Sequence, residues 1–88
     1  MPYVERATRK MLLEDNTPED AGELNYLITK LCDSFLRTKG RRYNHVNTVI
    51  GVLECAKQEF YRRIASVYED EKLQENGDVY SAANLSSL

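Results

Sequence analysis

The sequence predicts an all-α fold: a helical hairpin with one long helix, assembled into a helical homo-oligomer. Two runs of apolar residues at helical spacing support this prediction. The first lies between Leu24 and Phe35, where apolar residues stand three or four positions apart. The second repeats every seven residues, at Val46, Leu53, Phe60 and Val67. The third observation is size, because 88 residues with 42% hydrophobic and 30% charged side chains make one small domain with a single core.

The main helical domain is predicted to span residues 18–80, between an N-terminal arm and a C-terminal tail. Residues 1–17 mix charged and apolar residues without a clear period, so we expect an N-terminal arm that is helical in part, across residues 5–13. Residues 81–88 are mostly small and follow no helical pattern, and we expect a mobile tail there.

The first helix of the domain is predicted over residues 18–38. Thr17 is placed to cap it, and Pro18 suits the first helical position, where no backbone donor is needed. The acidic residues that follow favour the positive end of the helix dipole. Gly40 is well suited to the left-handed conformation just past the helix end.

The second helix is predicted over residues 42–75, because no proline interrupts this stretch and Asn76-Gly77 supplies a stop. A helix of roughly 30 residues is about 45 Å long, whereas a compact chain of this size is roughly 30 Å across. The helix therefore either bends, with Gly51 as the weak point, or is covered by another subunit. We favour the second alternative, and we expect a homo-oligomer.

Composition excludes several classes of protein. The formal charge of −2 excludes a uniformly basic, histone-like nucleic-acid binder. The longest apolar stretch, Val49 to Leu53, is too short for a membrane span, and the N-terminus has no secretory signal pattern. Cys32 and Cys55 form no Cys-x-x-Cys pair, and we expect both to be buried small apolar residues of a protein in the cytoplasm.

Catalysis has little support in the sequence. His45 is the only histidine, and neither cysteine stands in a context typical of a nucleophile. A single histidine without cysteines or carboxylates at ligand spacing does not make a zinc site. We therefore expect no enzyme, no cofactor and no metal.

The near-neutral charge hides a basic middle segment. Residues 37–63 carry seven basic and two acidic side chains, a net of +5, between flanks of −3 and −4. Arg41 and Arg42 stand just before the second helix, where free N–H groups and the dipole favour an anion. Arg62 and Arg63 follow about five to six turns later on the same helix. In an antiparallel oligomer the first pair of one subunit approaches the second pair of another, which predicts an anion site between subunits.

The alternative is that these arginines only form ion pairs, because arginine clusters serve both uses. The acidic residues within reach on the same helix or on a neighbour are Glu54, Glu59 and residues 69–71.

Tyrosine and asparagine side chains accompany the arginines. Six tyrosines against two phenylalanines form a set of aromatic rings with polar tips, which suits subunit interfaces and base stacking alike. Such a set predicts a pocket for a phosphate-bearing nucleotide. The candidate ligand-binding residues are Arg41, Arg42, Tyr43, Asn47, Tyr61, Arg62, Arg63 and Tyr26.

The amino-acid sequence of residues 24–80 resembles a family of small proteins from tailed phages and prophages that has no assigned activity. The resemblance includes Arg42-Tyr43-Asn44-His45-Val46-Asn47 and Lys57-Gln58-Glu59-Phe60-Tyr61-Arg62-Arg63, and it ends in Glu75-Asn76-Gly77-Asp78-Val79-Tyr80. It implies a phage gene product that acts inside a bacterium.

These observations lead to one functional hypothesis and two alternatives. The hypothesis is a non-enzymatic inhibitor of bacterial defence that sequesters a nucleotide immune signal in pockets between subunits. The first alternative is a protein–protein inhibitor of a host defence enzyme. The second is a nucleic-acid-binding or virion accessory protein, against which the acidic flanks argue.

Overall fold

The computed structural model describes residues 3–85, and within them all regular structure is helical. The elements are α1 (Arg6–Asp15), α2 (Ala21–Lys39), α3 (Tyr43–Phe60), a π-helical turn (Tyr61–Ala65), α4 (Ser66–Asn76) and the short α5 (Ala82–Leu85). The predicted all-α class is confirmed. By contacts between residues the chain divides into two compact units, Met1–Ile50 and Gly51–Leu88.

Helix α1 occupies most of the predicted arm and ends in a left-handed cap. Asn16 follows its last residue with φ 54° and ψ 40°, and its N–H donates to the carbonyl of Leu12 at 2.8 Å. Asparagine tolerates this conformation better than most residues because its short polar side chain adds local hydrogen bonding. The turn that follows brings α1 back against α2.

Helix α2 starts three residues later than the sequence predicted. Its cap is Asp20, which is extended (φ −144°, ψ 175°) and whose carboxylate accepts the N–H of Glu23 at 2.8 Å. The side chain of Glu23 in turn accepts the N–H of Glu19 at 3.1 Å. Capping by Thr17 was therefore wrong: an aspartate caps at least as well as a threonine, and here the bond from Glu19 to the Glu23 carboxylate satisfies a second backbone donor at the helix start.

The first unit has a small core where α1 packs on α2. Among its described residues two are buried: Leu12, with 1% of its surface exposed, and Tyr26, with 7%. The guanidinium of Arg9 lies over the Tyr26 ring at 5.8 Å, and its Nε donates to the carbonyl of Val4 at 2.9 Å. The packed hairpin of this unit is therefore α1–α2. The sequence predicted a hairpin between the helices at 18–38 and 42–75 instead.

Residues 43–76 are helical without a break, close to the predicted 42–75. Gly51, the expected weak point, lies inside α3, and the irregularity comes later, in the π turn at residues 61–65. Helix α4 ends at Gly77, which takes φ 83° and donates its N–H to Leu73. Residues 82–85 of the predicted tail form α5, and residues 86–88 lie outside the described chain.

The cysteines depart from expectation in one case. Cys32 is half-buried in α2, but Cys55 is exposed in α3. Both are free thiols. The apolar periodicity around Cys55 correctly indicated a helix, but among the described residues the Cys55 side chain stays exposed.

Candidate functional site

The first group of candidate residues surrounds the turn between α2 and α3. Gly40 makes this turn with φ 101°, and its N–H donates to Leu36 while its carbonyl accepts the N–H of Arg42 at 2.9 Å. A nitrogen of the His45 ring, Nδ1, is hydrogen-bonded to the same carbonyl at 2.9 Å. The ring also packs edge-on against Phe35, with centroids 6.5 Å apart. The only histidine of the chain thus holds the turn in place.

The side chains that follow this turn point into solvent. Arg41, Arg42, Tyr43 and Asn47 are all exposed, Tyr43 by 83%. Among residues 3–85, neither arginine has a carboxylate within ion-pair distance. Two uncompensated guanidinium groups therefore stand at a helix N-terminus, where backbone N–H groups add further positive potential. This arrangement is suited to an anion, and the adjacent phenol ring is open to stacking.

Tyr26, another candidate ligand-binding residue, is buried, unlike the exposed residues of this first group. It lies in the first unit, and the Arg9 guanidinium covers its ring. Within the described chain no hydrogen bond or ring contact joins it to Arg41, Arg42 or Tyr43. The side chain contributes to the α1–α2 core.

The second group, Tyr61, Arg62 and Arg63, lies in the second unit and forms the start of the π turn. Arg62 pairs with Glu59 at 2.8 Å, and Arg63 approaches the other oxygen of the same carboxylate at 3.7 Å. All three side chains are more than half exposed, so these ion pairs contribute little stability. Two arginines sharing one carboxylate nevertheless leave a net positive charge at this turn.

The hydroxyl of Tyr61 is engaged as well. It donates to Glu69, with both carboxylate oxygens at 2.9 Å. This hydrogen bond and the negative charge of Glu69 raise the pKa of Tyr61 above its ordinary value of 10.0. Residues eight apart lie about 12 Å apart along the axis of a regular α-helix and about 80° apart around it, so the helical pattern did not predict this contact.

A groove between the end of α1 and the middle of α2 was not foreseen from the sequence. Its volume is about 290 Å³, and its lining is mostly apolar. The residues around it are Leu13, Asn16, Leu27, Lys30, Leu31, Asp33, Ser34 and Arg37. Lys30 and Asp33 form an ion pair at 3.5 Å on its wall.

Residues 3–85 contain no cluster of three or more histidine, cysteine, aspartate or glutamate side chains that would hold a metal ion. None of the helices in that part of the chain combines the length and the hydropathy that a membrane crossing needs.

The sequence matches the family described as Domain of unknown function (DUF6899) over residues 1–79. The chain belongs to this family. The match spans α1 to α4 completely, so both groups of candidate residues lie inside the DUF6899 domain. Neither the curated proteins nor the solved structures compared with the chain gave a match.

Proposed function

We propose that this DUF6899 protein is a non-enzymatic binding protein that works as a homo-oligomer. The supporting observation is the long helical segment, residues 43–76, in which no residue is buried. Its large apolar side chains stay exposed in the single chain, Phe60 by 65%. Large apolar side chains left exposed along a helix are candidates for an interaction site, and further copies of the chain would remove them from water.

The ligand that we propose is a small phosphate-bearing nucleotide. Arg41 and Arg42 supply charge for phosphate oxygens, which arginine holds in a bidentate way. Tyr43 offers an open ring for base stacking, and Asn47, one turn further on, offers an amide to base or sugar. This group is better suited to the ligand than Tyr61, Arg62 and Arg63, whose polar atoms already have protein partners.

The biological role that we propose follows from the resemblance of residues 24–80 to tailed-phage proteins. A phage product in the cytoplasm of a host bacterium that holds a nucleotide without converting it lowers the free concentration of that nucleotide. If the nucleotide is an immune signal, such as a cyclic nucleotide or an ADP-ribose derivative, its sequestration inhibits bacterial defence.

Calorimetry against a panel of such nucleotides tests the ligand. We expect binding by the wild type, and at least about tenfold weaker binding after Arg41→Ala with Arg42→Ala, because each lost charge-assisted hydrogen bond contributes about 1.5–3 kcal/mol. Arg6→Ala with Lys10→Ala is the matched control: it removes the same charge from exposed positions of α1. No heat and no melting shift with any nucleotide would refute the proposal.

The exposed apolar surface also favours a second candidate, a protein–protein inhibitor of a host defence enzyme. In that case the purified enzyme would bind the chain at its apolar helical face. Phe60→Ser would abolish this binding, while Arg41→Ala with Arg42→Ala would leave it unchanged. The arginine double variant separates the two candidates. The nucleotide proposal predicts that it weakens nucleotide binding, whereas the second candidate predicts that it leaves enzyme binding unchanged.

A further inference from the structure

The π turn in the second unit is the one irregularity in the helical segment 43–76. The N–H of Ser66 donates to the carbonyl of Tyr61, five residues back, instead of four as in an α-helix. A turn closed in this way holds one residue more than an α-turn. Every residue of α4 is therefore displaced by one position around the helix surface relative to a continuous α-helix.

Side chains stabilise this turn at two points. Tyr61 reaches Glu69, eight residues on, at 2.9 Å. In a regular α-helix residues seven apart share a face, and the extra residue of the π turn makes eight residues count as seven. The hydroxyl of Ser66 donates to the carbonyl of Arg62 at 2.7 Å and so satisfies an acceptor in the widened turn.

The apolar repeat in the sequence fits a different register. Leu53, Phe60 and Val67 are seven residues apart, which is the spacing of helices that wind around a second helix. The π turn lies between Phe60 and Val67 and moves Val67 off this line, so that Tyr68 occupies its place. The same chain is thus compatible with two registers of α4, one supported by Tyr61 and Glu69 and one by the apolar repeat.

We propose that the π turn is a register switch that opposes self-association. In the single chain the contact between Tyr61 and Glu69 holds α4 in the π register. A second copy of the chain, packed along Leu53 and Phe60, selects the continuous α-helix because Val67 then extends the apolar contact. This inference rests on the self-association proposed above and adds the element that controls it.

The two registers differ by small and opposed terms. The π register has two exposed side-chain hydrogen bonds, from Tyr61 to Glu69 and from Ser66 to the carbonyl of Arg62. In the α register Val67, about half exposed in the single chain, takes the place on the apolar line that Tyr68, with its polar hydroxyl, holds in the π register. A ligand shifts a conformational equilibrium only by its differential interaction with the two states. Here the second copy supplies that difference at Val67.

The test removes the contact from either side. Tyr61→Phe deletes the hydroxyl and keeps the ring, and Glu69→Ala deletes the acceptor. Tyr3→Phe and Glu71→Ala are the matched controls, since they make the same chemical changes at exposed positions outside the π turn. Sedimentation equilibrium measures association, and NMR contacts of the Ser66 amide proton distinguish the π turn from an α-turn.

We expect the first two variants to lose the π contacts and to associate about two- to tenfold more tightly per chain than the wild type, the factor for one net hydrogen bond. The controls should stay within about twofold of the wild type on the same scale. A wild-type oligomer that keeps the π contacts, with Tyr61→Phe unchanged in affinity, would overturn the switch and leave self-association standing. A single-chain mass for every variant would overturn self-association itself.

Discussion

Replacing Leu12 by alanine removes the best-buried side chain in the described part of the protein. Leu12 is 1% exposed and lies in the small core between α1 and α2. Its neighbour Leu13 is 49% exposed in the same helix, so Leu13→Ala makes an identical chemical change at a half-open position. Comparing the two variants separates loss of core packing from any change in helix propensity.

The expected magnitudes follow from the exposed fractions. Leucine to alanine removes three carbons, at about 0.8 kcal/mol for each when fully buried. For Leu12 this gives about 2.4 kcal/mol before the cavity term, which brings the expected loss of stability to about 3–4 kcal/mol. For Leu13, with about half of its surface already in water, the same arithmetic gives about 1.2 kcal/mol and no closed cavity.

Urea unfolding followed by far-ultraviolet circular dichroism measures both losses. A stability loss of this size at Leu12 is a large share of the total that a small domain has, so we expect α1 to detach or the first unit to unfold at 37 °C. Equal losses for the two variants would refute the reasoning, because they would mean that the α1–α2 contact is not the core of this unit.

Three further predictions concern single residues. Asp20→Ala should cost about 1 kcal/mol in urea unfolding, because it removes the cap of α2, while Asp20→Asn should cost little. Asn16→Val should cost about 1–2 kcal/mol at the left-handed cap of α1 and Asn16→Gly almost nothing, as thermal unfolding of the pair would reveal. Tyr61 should ionise above pH 10.0, the ordinary tyrosine value, as the difference in tyrosinate absorbance between wild type and Tyr61→Phe measures. The raised pKa means that the contact with Glu69 contributes its full stability below pH 10 and loses it as the pH rises through the pKa of Tyr61.

Periodicity predicted the helical class and most helix limits. The run from Leu24 to Phe35 lies in α2, although Leu24 and Leu31 are more than half exposed, and the absence of proline after residue 42 correctly indicated helix as far as residue 76. These features depend on residues that are close together in the sequence, so the sequence alone predicts them. The start of α2 was wrong because Thr17 and Asp20 are both good caps, and the choice between them depends on the reach of Glu23 back to Glu19.

The π turn and its contacts could not be predicted from the sequence, for a physical reason. A seven-residue repeat from Leu53 to Val67 describes a continuous α-helix, and the inserted position at residues 61–65 is visible only once the hydrogen bonds are known. The candidate site was predicted only in part. Spacing placed Arg41, Arg42 and Tyr43 together at a helix start, but the buried surroundings of Tyr26 depend on the packing of α1, which the sequence left undetermined.

Self-association is the central claim, and sedimentation equilibrium of the full chain tests it most directly. We predict that, between micromolar and millimolar protein, the mass rises to a whole multiple of the chain mass, and that Phe60→Ser shifts this rise to higher concentration. The mass of one chain at every concentration would contradict the account, because the apolar side chains of residues 43–76 would then remain in water without a partner copy.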